Sequence, residues 1–268
     1  QMCIRDSFYA TKCIMATGGK TLKKSGSDGS GFLYLESLGH HIIDLVPGLI
    51  GLKGKQSFFA DIAGIRADVK VDLYIESTHV CSEQGELQLT NYGISGIPVF
   101  QLSRVATRAL SEQKEVYATL NFVPFWEKEQ CLTYFKERFK KADEKRIGEA
   151  LIGFFPEKLI PVLLEESHIK AAKYANRLQT EELERFIDTV QGLRVDITDW
   201  NTFDTAQVTA GGVDTDEIDA ETMESKLCPG LYFAGEMVDI DGICGGYNLQ
   251  WAWSSGAVAG IHVARELS

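Results

Sequence analysis

Paired cysteines are missing from this sequence. Its six cysteines, Cys3, Cys13, Cys81, Cys131, Cys228 and Cys244, are scattered over 268 residues and never stand as CxxC. That spacing argues against a disulfide scaffold and implies reduced thiols in a cytoplasmic protein. The five histidines add no ligand spacing, so no metal site is expected. No apolar run approaches the roughly 18 residues of a membrane span, and no membrane partner is expected. Positive charge is also short: 27 Lys and Arg stand against 38 Asp and Glu, for a net charge of -11. A broad basic face for nucleic acid or anionic lipid is therefore not expected. Internal repeats and low-complexity tracts are absent. What remains is 44% hydrophobic, 10% aromatic and 24% charged, a composition that excludes global disorder. The length suits one large domain or two small ones, each with a core.

The first seven residues, 1–7, carry neither an initiator Met nor the charged and apolar regions of a secretory signal. They are read as an extraneous lead outside the fold. The chain then enters a short apolar strand around Cys13-Ile14-Met15 that runs straight into Thr17-Gly18-Gly19. An opening on an interior-looking strand implies that an N-terminal part is missing. From Leu52 to Leu120 the pattern alternates. Ala67–Ile75, Gly85–Leu89 and Val116–Leu120 read as period-two strands punctuated by Gly, Asn and Ser, the mark of a small antiparallel sheet or barrel. From Phe125 to Leu193 the period becomes helical. Leu132, Phe135 and Phe139 share one face, and Leu183, Phe186, Ile187 and Val190 another; both stripes are read as core. Thr180 is the expected N-cap of the second helix and Gly192 its end, while Pro156 starts a helix that Pro161 should bend or stop. From Ala206 onward the chain is again Gly-rich and apolar. It has a short buried strand at Leu231–Ala234 and a last helix from Leu249 to Leu267. The small residues Ser254, Ser255, Gly256, Ala257, Ala259 and Gly260 predict a close approach along that helix.

Chemistry concentrates in four glycine-dense stretches: 16–19, 26–31, 209–213 and the long run 235–248. Glycine reaches positive φ and lets the backbone approach a ligand. The last run follows a strand and opens a helix, whose first amides lack partners and carry the positive end of the dipole. Two groups suit such an end. One is a phosphate. The other is the N1/C2=O edge of a flavin, which becomes negative on reduction. Glu236 and Asp241 are then placed to accept from sugar or ribityl hydroxyls.

These residues resemble a known family. Thr222-Met223-Glu224-Ser225-Lys226, Pro229-Gly230-Leu231-Tyr232-Phe233-Ala234-Gly235-Glu236, Asp239-Ile240-Asp241-Gly242 and Gly245-Gly246-Tyr247-Asn248-Leu249-Gln250-Trp251-Ala252 together look like the C-terminal signature of the BaiN/HI0933-like, aminoacetone-oxidase-type FAD-dependent oxidoreductases. Residues 208–213, 16–20, 26–31 and 38–40 match as well, and so do Gly85-Glu86-Leu87, Thr90, Tyr92-Gly93, Ser95-Gly96 and Pro98. The likeness runs from Phe8 to Ser268. It implies an α/β fold: a split Rossmann-like FAD-binding domain (8–51 and 194–268) interrupted by an antiparallel β insertion (52–123) and a helical insertion (124–193). More distantly, Ala234-Gly235-Glu236 and the following helix resemble fumarate-reductase-type flavoproteins, which implies that Glu236 holds the ribityl chain, that Asn248, Leu249 and Gln250 meet the ring edge, and that Thr17 and Gly18 line the adenosine diphosphate side. Gly19, Gly235, Asp241, Gly245 and Gly246 are the further cofactor-binding candidates. The strand with GxGxxG that begins this family is not in the sequence. The chain is thus expected to be N-terminally truncated and to bind FAD weakly by itself.

The implied activity is hydride transfer from NAD(P)H through flavin N5 to a C=C bond of a small or steroid-like enone. A small-molecule substrate is the expected partner, with no nucleic acid. The alternative is a flavin- or nucleotide-binding fragment without turnover, in a binding or regulatory role. No proton donor can be chosen; Tyr92, Tyr247, His40 and His168 qualify only by type.

Overall fold

The computed structural model describes residues 8–268, so the expectation for residues 1–7, Cys3 included, lies outside it. In chain order the elements are β1 (Cys13–Met15), α1 (Ser30–Ser37), β2 (Ile42–Gly48), β3 (Leu52–Gly54), α2 (Phe59–Ile62), β4 (Arg66–Ile75), β5 (Thr78–Leu89), β6 (Gly93–Gly96), α3 (Ile97–Ser111) and β7 (Val116–Asn121). There follow α4 (Lys128–Lys140), α5 (Ile147–Leu151), α6 (Leu159–Glu166), α7 (Thr180–Gly192), β8 (Leu193–Trp200), β9 (Val208–Val213), β10 (Leu231–Phe233) and α8 (Tyr247–Glu266). They form two compact units: residues 49–201, and residues 8–48 together with 202–268.

Residues 49–201 contain a closed barrel in the order β3-β6-β5-β4-β7-β8. The alternation in β4 and β7 becomes inward and outward faces: Val69, Val71 and Leu73 are fully buried, as are Val116, Ala118 and Leu120. Closure leaves no edge unpaired. Between β7 and β8 lie helices whose aromatic side chains pack on one another. Phe186 of α7 is fully buried, with ring centroids of Phe135 and Phe155 at 5.5 and 6.3 Å. The Phe and Leu stripes are therefore core.

Four expectations need correction. Residues 194–201, assigned with the C-terminal part, lie in the strand β8, which pairs with β7 and β3 and completes the barrel. Their alternation, Leu193, Val195 and Ile197 buried, belongs to the barrel wall. A 15-residue helix, α3, stands inside the region expected to hold only an antiparallel sheet or barrel; Pro98 occupies its first turn, where a missing N–H costs nothing. Pro161 likewise falls in the first turn of α6 and neither bends nor stops it. The N-cap of α7 is Gln179, not Thr180. Its side chain and that of Glu182 form a reciprocal capping box.

The other unit is held by parallel pairing of β1 with β10 and antiparallel pairing of β2 with β9. Its core is small: Phe32, Leu35, Val213, Ile218, Met223, Tyr232, Phe233, Met237 and Val238 are buried with a few others. Within β9, Gly211 takes φ 105° against β2, where a Cβ would lie 2.4 Å from the Asp44 carbonyl oxygen. No described helix is long and apolar enough to cross a membrane.

Candidate active site

Strands β1 and β10 run parallel, with Met15 beside Phe233, and both end in glycine turns on the same side. In α/β sheets the carboxyl ends of parallel strands are where ligands collect, because the turns there present backbone groups. The structure brings the two turns together. Gly19 N–H donates to Glu236 Oε2 at 3.1 Å and Thr209 N–H donates to Oε1 at 2.5 Å. Lys20 N–H donates to Thr209 Oγ1 at 2.7 Å. A Cβ on Gly19 would stand 2.2 Å from Thr209 Oγ1, so only glycine allows this junction. Burial pushes the Glu236 carboxyl above its ordinary range, and the Asp241 carboxylate pushes the same way; the two backbone donors oppose them. Glu236 is thus a brace between the first and third glycine stretches. Each of its oxygens keeps one lone pair for another donor.

Thr17 Oγ1 donates to Met237 Sδ at 2.8 Å, and Gly18 takes φ 74° beside Ser27. Gly235 is held on both sides by the last helix: its N–H donates to Ser255 Oγ at 2.9 Å, and Trp251 Nε1 donates to its carbonyl at 3.0 Å. Ser255 and Trp251 are the residues that sequence reasoning missed here. Their spacing of four put both on one helix face, but nothing in the sequence tied that face to residue 235. Only Ser255 and Ala259 of α8 are buried, and Gly260 has no atom within 4 Å of a built Cβ. Among the described residues, the small residues therefore serve contact at Ser255 and Ala259 and none at Gly260.

Helix α8 starts from Gly246 in a left-handed conformation, φ 92°, with no side chain capping it. The Gln250 amide is the first to close, on the Gly246 carbonyl. The amides of Tyr247, Asn248 and Leu249 precede any intrahelical acceptor. Asn248 does not offer its side chain outward: its Nδ2 donates to the Gly242 carbonyl at 2.9 Å, and its Oδ1 accepts from the Gly242 amide at 2.8 Å. This clamp shapes the 242–246 loop. Ile243, Tyr247 and Leu249 are exposed around the helix start, as are Gly245, Gly246 and Gln250.

The proton-donor candidates are dispersed. His40 is buried in a row in which its Nδ1 lies 2.7 Å from Glu217 Oε2 and its Nε2 lies 2.9 Å from Ser225 Oγ. The order acid, histidine, serine mimics a nucleophilic triad. Ser225 Oγ, however, also accepts from the Leu227 and Cys228 amides and is itself buried, so the row locks a turn. Tyr247 is exposed at the start of α8. Tyr92 and His168 belong to the barrel unit; the Tyr92 hydroxyl packs on Gly51, and His168 ends α6 at φ 57°.

Known proteins resemble this chain over nearly all of its length. A 3-dehydro-bile acid delta(4,6)-reductase of Clostridium scindens is 45% identical over 253 residues, covering 94% of this chain and 62% of the relative. Ribosomal RNA dihydrouridine synthases of Escherichia coli and Haemophilus influenzae are each 29% identical, covering 91% and 94% of the chain and 58% and 60% of their own lengths. The chain spans about three fifths of the length of these curated relatives. The model of the HI0933-like protein Rossmann domain matches residues 2–262. With that match over nearly its whole length, and with parallel strands that end in braced glycine turns, the chain belongs to the HI0933-like Rossmann family.

Proposed function

We propose that this chain serves an FAD-dependent oxidoreductase that passes hydride from NAD(P)H to a C=C bond conjugated with a carbonyl. The observation that carries the reading is the open start of α8. It is uncapped, led by two glycines and flanked by the exposed apolar side chains of Ile243, Tyr247 and Leu249. A bare dipole end among apolar groups fits a flat ring with one polar edge better than it fits a phosphate, which favours basic neighbours. No Lys or Arg stands between Gly235 and Gln250.

When bound, FAD supplies the two-electron chemistry at its N5 position. The chain's own residues do the rest. The Tyr247, Asn248 and Leu249 amides stabilise negative charge on the ring edge before any reorganisation is needed. The Asn248 clamp on Gly242 holds the loop that leads to them. Glu236 keeps the Gly19 and Gly235 turns in register, and with Asp241 it accepts from hydroxyls of the cofactor's side chain. Thr17 and Gly18 line the adenosine side. Cys13, Cys81, Cys131 and Cys228 are free thiols, which supports a reducing, cytoplasmic setting.

The relatives' names support the bond type. A 3-oxo bile acid unsaturated at positions 4 and 6, and a uridine saturated to dihydrouridine, share a C=C bond conjugated to a carbonyl. A small or steroid-like enone is the substrate we assign. Protein supplied with excess FAD should take up the visible bands of an oxidised flavin and be bleached by NADH or NADPH without air. Adding a 3-oxo-Δ4 steroid should restore the colour. Asn248→Ala, which frees the loop, should weaken flavin binding about tenfold, equivalent to about 1.4 kcal/mol. A flavin that binds but is never reoxidised by any enone would assign a binding role instead. Protein that takes up no flavin under any condition overturns the reading.

A further inference from the structure

The net charge of -11 is unevenly spread. Residues 49–201 hold 20 Lys and Arg against 23 Asp and Glu, while the rest of the chain holds 7 against 15. Within the first set, cations gather where the end of α4 meets the segment before α7. The two stretches are joined by backbone bonds: Ile147 N–H donates to the Lys173 carbonyl at 2.9 Å and Ala175 N–H to the Lys145 carbonyl at 3.0 Å. The juxtaposition brings together Lys140, Lys141, Lys145 and Arg146 with Lys170 and Arg177, all exposed. Among the described residues, none of these six makes an ion pair with a carboxylate.

Two of the four acids beside these stretches are committed. Glu182 pairs with Lys173 at 2.5 Å, and Glu149 accepts from the Arg146 amide at 2.9 Å to cap α5. Asp143 and Glu144 remain in the turn between. Helix α4 ends here, so its dipole accounts for Lys140 and Lys141 but not for the others. The centre of the surface is Tyr174. The Arg146 and Arg177 guanidinium carbons lie 4.0 and 5.1 Å from its ring centroid. Both guanidinium groups are exposed, and Arg146 Nη1 also donates to the Ala172 carbonyl.

We propose that this surface docks a single-stranded nucleic acid, with the lysines on phosphates and the Arg146–Tyr174–Arg177 group stacking on a base. Planar guanidinium and phenol faces accept bases of any sequence, whereas lysines alone offer only charge. A membrane is the poorer fit, because no large apolar side chain is exposed between residues 140 and 146 or between 170 and 177. This inference goes beyond the flavin reading and stands without it.

The test uses the full chain and labelled single-stranded RNA and DNA oligonucleotides of one mixed sequence, followed by fluorescence anisotropy. At about 50 mM salt one or both should bind, with affinity falling as salt rises at about 0.7 log units per phosphate contacted. The combined substitution Lys141→Glu, Lys145→Glu and Lys170→Glu should weaken binding about tenfold or more and flatten the salt slope. Lys23→Glu with Lys24→Glu, at exposed sites outside residues 49–201, should change neither. Tyr174→Leu should weaken binding several-fold at an unchanged salt slope, because stacking carries no charge. A circular dichroism spectrum and melting curve equal to the parent's keep the variants interpretable. Absence of binding to both oligonucleotides overturns the proposal. So does binding that ignores the charge reversals, or tighter binding to heparin or to phosphatidylserine vesicles than to either strand.

Discussion

Residues 49–201 close upon themselves, whereas residues 8–48 with 202–268 do not. The barrel pairs every strand on both sides and buries a continuous core, including Phe59, Val71, Leu73, Phe135, Phe186 and Val195. The other unit consists of two two-stranded sheets and a short core, and it exposes Ile14, Leu33, Tyr34, Leu249, Trp253 and Ile261. The difference lies in where each unit gets its order. In the barrel it comes from buried apolar area, which is additive and local. In the split unit much of it comes from particular hydrogen bonds: Glu236 to the Gly19 and Thr209 amides, and Ser255 and Trp251 to Gly235. Such bonds contribute modestly when made and cost more when one partner is removed. A unit ordered in this way keeps open backbone surface for a ligand, and the barrel does not need any.

The comparison can be broken or sharpened by substitution. The largest effect is expected from Phe186→Ala, which should lower stability by about 3–5 kcal/mol in urea unfolding. Hydrogen exchange should locate the loss in residues 49–201. Gly211→Ala should cost about 1–3 kcal/mol from backbone strain, and more from overlap with the Asp44 carbonyl, read as a lower melting temperature of the split unit. Ser255→Ala should cost about 1–3 kcal/mol, because the buried Gly235 amide loses its acceptor. It should also raise exchange at Gly235.

A pH effect follows from Glu236. Its folded-state pKa is raised above the ordinary 4.5, chiefly by burial. Its contribution to stability is therefore fully present below pH 4.5 and is lost as pH rises through the raised value. Melting curves of the parent and Glu236→Gln should show the parent's advantage shrinking between acidic and neutral pH. An advantage that grows with pH would contradict the burial argument. The smallest effect is expected for Trp253→Gln, below about 0.5 kcal/mol, because Trp253 is 68% exposed. A loss comparable to that of Phe186→Ala would end the distinction between the two units.

How much was legible depended on the range of each interaction. Val69, Val71 and Leu73 announce a strand because alternation is a property of neighbours, and Leu183, Phe186, Ile187 and Val190 announce a helix for the same reason. Helix α3 was missed because Gly96 and Pro98 read equally as a turn or as a helix start. Strand β8 was assigned to the wrong region because its partners, β3 and β7, lie far away in sequence. In the site, the glycine run before α8 was visible, but nothing in the sequence showed that the Asn248 side chain holds Gly242. The Glu217–His40–Ser225 row, buried at His40 and Ser225, gave no signal, since its members are widely separated.

Periodicity, turn chemistry and the long C-terminal signature determined the element types, the α/β class and the glycine turns, because each depends on residues close together along the chain. Only the tertiary structure decided that six strands close into a barrel and that Glu236 braces Gly19 against Thr209. It alone set Arg146 and Arg177 over one tyrosine ring. These are encounters between residues far apart in the chain, and no local rule of spacing specifies which distant partner a strand edge, a carboxylate or a guanidinium will meet.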